Sequence, residues 1–528
     1  MRTTGAAATA PHGAAAESAL AVLREGGNAV EAMIAAAATI AVVYPHMNSI
    51  GGDGFWLIAT PGAEPVGIEA CGAAASAATL EAYRAGGLTQ IPARGPWAAC
   101  TVAGTVSGWA LAHEYSRTTL RGRLPLSRLL ADAIDHARAG VTVSRSQAAG
   151  VAAKCAELGQ QPGFAATFLP DGQQPEAGAR FSQPRLAAVF EQLVRCGLDD
   201  FYRGELARSM AADLQRLGSP VALIDLERHH ARRRNPLVLA HSLGMLYNMP
   251  PPSQGLISLL ILGMLDRRLQ PGLDGLGAPY VHLCVEATKL AFGIRDRHLT
   301  DPDYMRVAPS ALLNGAALDV MAARINMEAA APWGAAGAPG DTVWLGVVDG
   351  EGVAVSFIQS IYHEFGSGIV LAGSGICWQN RGCSFALDPL ALNPLQPGRR
   401  PFHTLNPPLA RLADGRLLVY GAMGGDGQPQ FQSALFSRIA ALGWGVRAAI
   451  DAPRWLLGRA WGESTDTLKL ERRFPAATCD ALRRLGHELE LVKPYDELVG
   501  HAGAILRHPD GTLEAGSDPR SDGAALAC

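Results

Sequence analysis

A low-complexity segment rich in Ala, Gly and Pro interrupts the chain at residues 329–340 (AAAPWGAAGAPG). Such a segment offers few side chains for packing, so it predicts an exposed linker. A strand pattern begins directly after it. Thr342–Asp349 (TVWLGVVD) predicts one strand, Gly350–Gly352 a hairpin turn and Val353–Ile361 (VAVSFIQSI) a second strand. A buried strand that opens on a hydroxyl straight after a linker is unusual unless the linker is cut.

Cleavage of the Asp341–Thr342 bond would give Thr342 its own base. A threonine hydroxyl is a poor nucleophile without a base, and a new N-terminal α-amine provides one. The reference pKa of such an amine is about 7.7–8, close to neutrality. The alternative is that Thr342 has no catalytic role, because threonine is a common residue in strands.

A Gly-rich segment, residues 421–427 (GAMGGDG), follows a predicted strand at Arg416–Tyr420 and precedes a predicted helix. The backbone N–H groups of Gly424 and Gly425 can approach a substrate oxygen closely, because no side chain blocks them. These two residues are therefore candidate donors to an oxyanion. A plain turn and a phosphate-binding loop are the alternatives, although the Gly-Lys-Ser/Thr of a nucleotide-binding loop is missing.

The composition argues against several classes of partner. The 528 residues carry a formal charge of −3, which gives no electrostatic reason to expect nucleic acid or an anionic membrane. The longest apolar stretches, Met33–Tyr44 and Leu256–Leu265, are too short to cross a bilayer, and no secretion signal is expected at the N-terminus. Nine scattered cysteines without a C-x-x-C pair fit free thiols in a reducing compartment. We therefore expect a cytoplasmic protein.

Neither a metal nor a cofactor is expected. His229 and His230 lie in a basic segment, residues 227–234 (ERHHARRR), which fits a solvated turn better than a metal site. Cys377 and Cys383 lie nearest the proposed strands, and they fit small buried side chains better than reactive thiols.

Ten motifs in the same order along nearly the whole chain resemble the gamma-glutamyltransferase family. They are residues 26–32 (GGNAVEA), 50–55 (IGGDGF), 102–109 (VAGTVSGW), 250–255 (PPPSQG), 286–292 (EATKLAF), 365–369 (FGSGI), 400–402 (RPF), 424–425 (GG), 452–454 (APR) and 516–520 (GSDPR). The resemblance implies an α+β fold, a four-layer α-β-β-α sandwich of the N-terminal nucleophile hydrolase type. It also implies self-cleavage into a large subunit, residues 1–341, and a small subunit, residues 342–528. The two would form one domain as an α/β heterodimer, with further dimerisation left open.

The same resemblance implies roles for individual residues. Thr342 is the nucleophile, and Ser360 carries the hydroxyl that positions it. Gly424 and Gly425 are the oxyanion donors.

The substrate pocket departs from the family pattern. The arginine that clamps the glutamyl α-carboxylate falls at or next to Cys71, and the aspartate that holds the α-ammonium falls on Ser384. The other pocket positions also carry different residues: Tyr362 for asparagine, His403 and Thr404 for two serines, and Arg381 for Gln or Glu. An ammonium loses its counter-charge while a guanidinium appears, so we expect a small anionic amide whose carboxylate binds Arg381. The alternative is that Arg381 lies on a solvated loop, because residues 379–382 (QNRG) have a turn-like composition.

This pattern is most similar to that of family members that hydrolyse oxamate to oxalate and ammonia in purine or allantoin nitrogen catabolism. The expected activity is hydrolysis of a linear amide by an N-terminal threonine. Three alternatives stay open: a glutaryl-type cephalosporin acylase, a gamma-glutamyltransferase or glutathione hydrolase, and an unprocessed relative that only binds.

Overall fold

The computed structural model describes residues 2–333, 341–458 and 465–528, so the predicted linker lies outside the described residues from position 334 onward. The strands in chain order are β1 (Arg2–Thr4), β2 (Ala7–Ala10), β3 (Asp53–Ala59), β4 (Val66–Ala70), β5 (Val141–Thr142), β6 (Arg180–Phe181), β7 (Arg232–Arg234), β8 (Leu237–His241), β9 (Gly244–Asn248), β10 (Asp341–Val348), β11 (Ala354–Tyr362), β12 (Leu409–Leu412), β13 (Leu417–Ala422), β14 (Trp455–Leu457), β15 (Leu468–Glu471), β16 (Leu489–Val492), β17 (Ala502–Arg507), β18 (Thr512–Ser517) and β19 (Ala524–Ala527). The helices are α1 (Gly13–Arg24), α2 (Ala29–Val43), α3 (Leu80–Ala85), α4 (Thr105–Thr119), α5 (Leu126–Leu129), α6 (Ala131–Ala139), α7 (Arg145–Leu158), α8 (Phe164–Phe168), α9 (Pro184–Cys196), α10 (Asp200–Arg203), α11 (Glu205–Leu217), α12 (Leu223–Arg228), α13 (Gly255–Arg268), α14 (Ala278–His298), α15 (Pro309–Leu312), α16 (Gly315–Ala323), α17 (Gln428–Phe436), α18 (Val446–Asp451) and α19 (Ala476–Arg484).

Two antiparallel seven-stranded sheets form the middle of the molecule. The first sheet has the order β19-β2-β10-β11-β3-β4-β7, and the second has the order β1-β18-β17-β13-β12-β9-β8. The sheets stack face to face, with β10 and β2 of the first against β13, β17 and β18 of the second. Helices such as α2 and α4 cover the outer face of the first sheet, and α13 and α17 cover that of the second. The predicted four-layer α-β-β-α sandwich is therefore confirmed.

The predicted hairpin after the linker is present as β10 and β11, with bounds that differ from the prediction by one residue. Its register contains a bulge at the predicted cleavage junction: Asp341 pairs with Tyr362, whereas Val343 pairs with Gln359. Thr342 therefore faces two residues of β11. Bulges are common beside active sites because they change the direction of a side chain.

The two sheets approach each other closely beside Thr342. Trp344 is two residues further along β10 and lies on the same face of the strand, buried between the sheets. Its indole lies on Gly421 of β13 and Gly503 of β17. A Cβ atom on Gly503 would lie 2.6 Å from the indole, and one on Gly421 would lie closer still. Glycine at both positions therefore makes room for the tryptophan.

Two expectations outside the sheet core have mixed outcomes. All nine cysteines are free thiols, as expected. The solvated turn predicted for residues 227–234 is wrong in part, because Arg232–Arg234 form the edge strand β7 on β4. The His229 ring packs against Tyr202, with 5.2 Å between the ring centroids.

Among the helices of the described ranges, none combines the length and the apolar character needed to cross a bilayer.

Gly421→Ala should lower the free energy of unfolding by about 1–3 kcal/mol, because the added methyl group overpacks the space filled by Trp344. Urea unfolding of the variant and the wild type measures the difference. Gly350→Ala is the matched control, since a Cβ atom there meets no other atom within 4 Å. Its effect should stay within about 0.5 kcal/mol. Equal stability of the two variants would show that the indole does not limit the sheet spacing.

Candidate active site

Thr342 is buried in β10, which begins one residue earlier at Asp341. The Nε2 group of Gln428 donates a hydrogen bond to the Thr342 hydroxyl over 3.5 Å. Gln428 is itself oriented, because its Oε1 atom accepts a hydrogen bond of 3.0 Å from Asn406 Nδ2. The sequence did not point to Gln428 or Asn406. The available signal was that Gln428 is the first residue of α17, directly after the Gly-rich turn.

Ser360 lies across the bulge from Thr342 and opposite Asp53 of β3. Its hydroxyl accepts a hydrogen bond of 2.8 Å from the backbone N–H of Tyr362. Tyr362 has a φ angle of 81°, a conformation that costs free energy for a residue with a large side chain. Ser360 thus supports a strained turn at the end of β11, while its predicted hydrogen bond to the Thr342 hydroxyl stays a prediction.

The two predicted oxyanion glycines lie between the end of β13 and the start of α17. Gly424 has a φ angle of 120° and Gly425 one of 52°, both in the region that favours glycine. Within the described ranges, neither of their backbone N–H groups donates a hydrogen bond. The Gln254 side-chain amide holds this turn in place, because it donates to the carbonyl oxygens of both Gly425 and Thr404 at 2.9 Å. Two N–H groups are therefore available to a ligand.

Arg381 is fully buried, which excludes the solvated loop considered above. Its guanidinium lies 4.0 Å above the Tyr362 ring, and Nη1 donates a hydrogen bond of 3.3 Å to Thr404 Oγ1. Nε and Nη2, which share one edge of the guanidinium, have no partner among the described residues. Burial lowers the pKa of Arg381, but an arginine side chain keeps its charge in proteins. The buried cation therefore has one unpaired edge.

His403 lies beside Asp53, with 3.2 Å between Nε2 and Oδ2, although the atoms are not aligned for a good hydrogen bond. The other oxygen of Asp53 accepts hydrogen bonds from the backbone N–H groups of Gly72 and Gly104, at 3.1 and 2.9 Å. Burial, together with the nearby Arg381 charge, lowers the pKa of His403 to about 4. His403 is therefore neutral near pH 7.

A cavity of about 350 Å³ lies against this cluster at Tyr362. It is lined by Arg295, Asp296, Leu299, Tyr362, Cys383, Ser384, Ala386, Ala391, Leu392, Asn393, Phe402 and Asp426. Tyr362 and Ser384 from the predicted pocket lie on its wall, and Arg381 contacts that wall through the Tyr362 ring. The volume suits a small molecule.

A model of the gamma-glutamyltranspeptidase family matches residues 15–528. The chain belongs to this family. It is 57% identical to the oxamate amidohydrolase proenzyme of Klebsiella pneumoniae over 518 residues, which cover 98% of this chain and 97% of the relative. It is 37% identical to the glutathione hydrolase-like YwrD proenzyme of Bacillus subtilis, again over 98% of this chain and 97% of the relative.

A crystal structure of a cephalosporin acylase from Bacillus halodurans superposes on this chain with a TM-score of 0.91. The two are 31% identical, and the match covers 100% of this chain and 96% of the acylase. The chain is therefore a hydrolase of the gamma-glutamyltranspeptidase family that acts on amides and is made as a precursor.

The position of the family's clamping arginine lies at a second cavity, of about 300 Å³, whose lining includes Cys71 and Arg400. Burial raises the pKa of the Cys71 thiol, so the side chain is neutral at pH 7. Arg400 does not replace the missing arginine. Its guanidinium forms ion pairs with Glu69 at 2.7 Å, Asp301 at 2.6 Å and Asp303 at 2.9 Å. Arg381 thus differs from Arg400 in having N–H groups without a partner among the described residues.

One other cluster in the described part of the chain brings potential metal ligands together, namely His282, Glu286 and His487. His282 Nδ1 and His487 Nε2 lie 2.7 Å apart and share a hydrogen bond. Lys289 Nζ donates a hydrogen bond of 2.7 Å to Glu286, so this carboxylate already has a positively charged partner. These groups pair with one another, so the cluster is better suited to holding helix α14 than to binding a cation.

The free energy of unfolding should fall as the pH is lowered from about 6.5 towards 4, in part through His403. In that window the unfolded chain protonates this ring, whereas the folded chain keeps it neutral. The contribution of His403 is on the order of 3 kcal/mol and is fully present above pH 6.5. Urea unfolding between pH 4 and 7.5 should therefore show a shallower pH dependence for His403→Gln than for the wild type. An identical pH dependence would contradict a buried neutral His403.

Proposed function

We propose that the chain cleaves itself between Asp341 and Thr342 and that Thr342 then hydrolyses oxamate to oxalate and ammonia. Residues 1–341 and 342–528 would be the two subunits of the mature enzyme. The observation that carries the substrate class is the unpaired edge of the buried Arg381 guanidinium. The relative that shares 57% of its residues is named for oxamate, which supports this substrate over other anionic amides. Cytoplasmic purine-nitrogen catabolism is the setting that this substrate favours.

Self-cleavage would begin with attack of the Thr342 hydroxyl on the carbonyl carbon of residue 341. The resulting N→O shift breaks the amide bond, frees the α-amine of Thr342 and leaves residue 341 as an ester on the Thr342 oxygen. Water then hydrolyses this ester and releases the Thr342 hydroxyl and the carboxylate of residue 341. In the mature enzyme this amine takes the hydroxyl proton as Oγ1 attacks the substrate. Gln428 is already within hydrogen-bond reach of the same oxygen, at 3.5 Å. The two N–H groups of Gly424 and Gly425 are suited to the oxyanion that forms.

Oxamate carries its carboxylate directly beside the scissile amide, so one small site would have to hold both groups. Two parallel N–H groups on one edge of a guanidinium bind a carboxylate in a bidentate manner. The Nε and Nη2 groups of Arg381 form such an edge. Since His403 is neutral near pH 7, it adds no second positive charge that would compete with Arg381 for the carboxylate. Tyr362, Thr404 and Ser384 would close the pocket around the anion.

A gamma-glutamyl substrate is the less favoured alternative. Its α-ammonium needs a carboxylate partner, and Ser384 offers only a hydroxyl. Asp426 lines the same cavity, but Arg295 Nη1 lies 3.1 Å from its Oδ2 atom, so the Arg295 charge offsets the negative charge that an ammonium would need. A glutaryl-type acylase is also less favoured. Its substrate has a long side chain, which would leave the small anion site beside the scissile bond unused.

The purified precursor should separate into two fragments, the smaller of which begins at Thr342. Thr342→Ala removes the attacking hydroxyl and should remain one chain. Thr342→Ser keeps a hydroxyl and is the matched control, which should still be cleaved. Denaturing gels and N-terminal sequencing of the small fragment test this prediction. A fragment that begins at another residue would rule out Thr342 as the nucleophile.

Arg381→Lys should raise KM for oxamate by about 10–100-fold, because lysine cannot form the bidentate contact and one charge-assisted hydrogen bond is lost. Self-cleavage should stay normal. Ammonia release at several oxamate concentrations measures the effect. Arg399→Lys is the matched control, since Arg399 is also buried over a tyrosine ring, at 4.1 Å from Tyr304, but lines a different cavity. If the wild type hydrolyses neutral amides as fast as oxamate, the proposal of an anion site at Arg381 is wrong.

A further inference from the structure

Asp426 directly follows the two oxyanion glycines and has no role in the mechanism above. It lies in the short 3-10 turn Gly425–Gly427, two residues before Gln428. Its side chain lines the 350 Å³ cavity together with Tyr362 and Ser384. Asp426 therefore stands at the point where a substrate amide would enter between the cavity and the Gly424–Gly425 turn.

The Asp426 carboxyl is buried but only half satisfied. The residue is 7% exposed, and its Oδ2 atom lies 3.1 Å from Arg295 Nη1. Its Oδ1 atom has no hydrogen-bond partner among the described residues. Burial raises the pKa of Asp426, and the Arg295 charge opposes this shift. Leaving a buried acceptor without a donor costs about 1–3 kcal/mol, so a ligand that supplies an N–H group would be stabilised there.

Neutralising Arg295 does not account for the position of Asp426. Arg295 already has a second acid, because its Nε atom lies 2.7 Å from Asp296 Oδ1. Its guanidinium also stacks on Phe292 at 4.0 Å. Arg295 thus lies beside one oxygen of Asp426, while the other oxygen has no partner among the described residues.

We propose that Asp426 is a catalytic residue that accepts a hydrogen bond from the nitrogen of the scissile amide. This inference rests on the proposed function. The three polar parts of such a substrate then each have a partner: the carboxylate at Arg381, the carbonyl oxygen at the Gly424–Gly425 turn and the amide N–H at Asp426. The consequence is selectivity for amides over esters, since an ester has no N–H group to donate.

In the acylation step the bond from Thr342 Oγ1 to the carbonyl carbon forms and the carbon–nitrogen bond breaks. The hydroxyl proton of Thr342 passes to its own α-amine and from there to the leaving nitrogen, so ammonia departs as a neutral molecule. Asp426 transfers no proton. It accepts a hydrogen bond from an N–H group of the substrate nitrogen, so that the lone pair of this nitrogen points towards the α-amine.

Asp426→Asn should separate amide from ester hydrolysis. The two substrates are oxamate and the monoethyl ester of oxalate, which share the carboxylate and the carbonyl group. We expect kcat/KM for oxamate to fall by about 10–100-fold, the loss of a hydrogen bond to a charged acceptor. For the ester, kcat/KM should change by less than about threefold, because that substrate makes no contact with Asp426 Oδ1.

Asp451→Asn is the matched control, because it removes an acid that also pairs with an arginine, Arg473 at 2.8 Å, but does not line this cavity. It should leave both activities within about threefold. Self-cleavage reports correct folding, and Asp426→Ser gives the same comparison if Asp426→Asn is not processed. If the wild type hydrolyses oxamate but the Asp426 variants lose kcat/KM equally for the amide and the ester, this inference alone is overturned. No ammonia release from oxamate by the wild type would overturn the proposed function, and this inference with it.

Discussion

The stacking of β10 on β13 is the constraint on which the site depends. Trp344 fills the space between the two sheets against Gly421 and Gly503, which holds the sheets at a close distance beside Thr342. Because side chains alternate along a strand, Thr342 points into the same space as Trp344. The turn that contains Gly424 follows β13 directly and is therefore brought to the threonine by the packing of the sheets. The candidate nucleophile and its N–H donors come from separate sheets.

The pairing of charges distinguishes the arginines around the site. Arg400 has three carboxyl partners from within the chain, whereas Arg381 has an aromatic ring and one hydroxyl. A buried guanidinium is costly unless its N–H groups are satisfied. Within the fold, Arg400 is paired with carboxylates, whereas one edge of the Arg381 guanidinium has no partner among the described residues. This difference in pairing, rather than the presence of an arginine, is the basis for proposing an anion site at Arg381.

Local patterns account for the parts of the structure that could be predicted. The hairpin of β10 and β11 follows from alternating apolar residues and a Gly-Glu-Gly turn, which are signals contained in a few neighbouring residues. The edge strand β7 was missed, because its arginines become a strand only by pairing with β4, far away in the chain. Gln428 and Asn406 were missed for a similar reason, since an amide side chain shows no sign in the sequence of which hydroxyl it will reach.

The sequence by itself determined that a threonine stands at the junction of linker and strand. Its resemblance to the family implied the α+β class and the replacement of an acid by Ser384. Only the tertiary structure decided that Arg381 is buried with an unpaired edge, that Arg400 forms ion pairs with three carboxylates and that Asp426 lines the cavity. The physical reason is that burial and pairing belong to groups of residues from distant parts of the chain. Such groups meet only when the two sheets and their helices pack together.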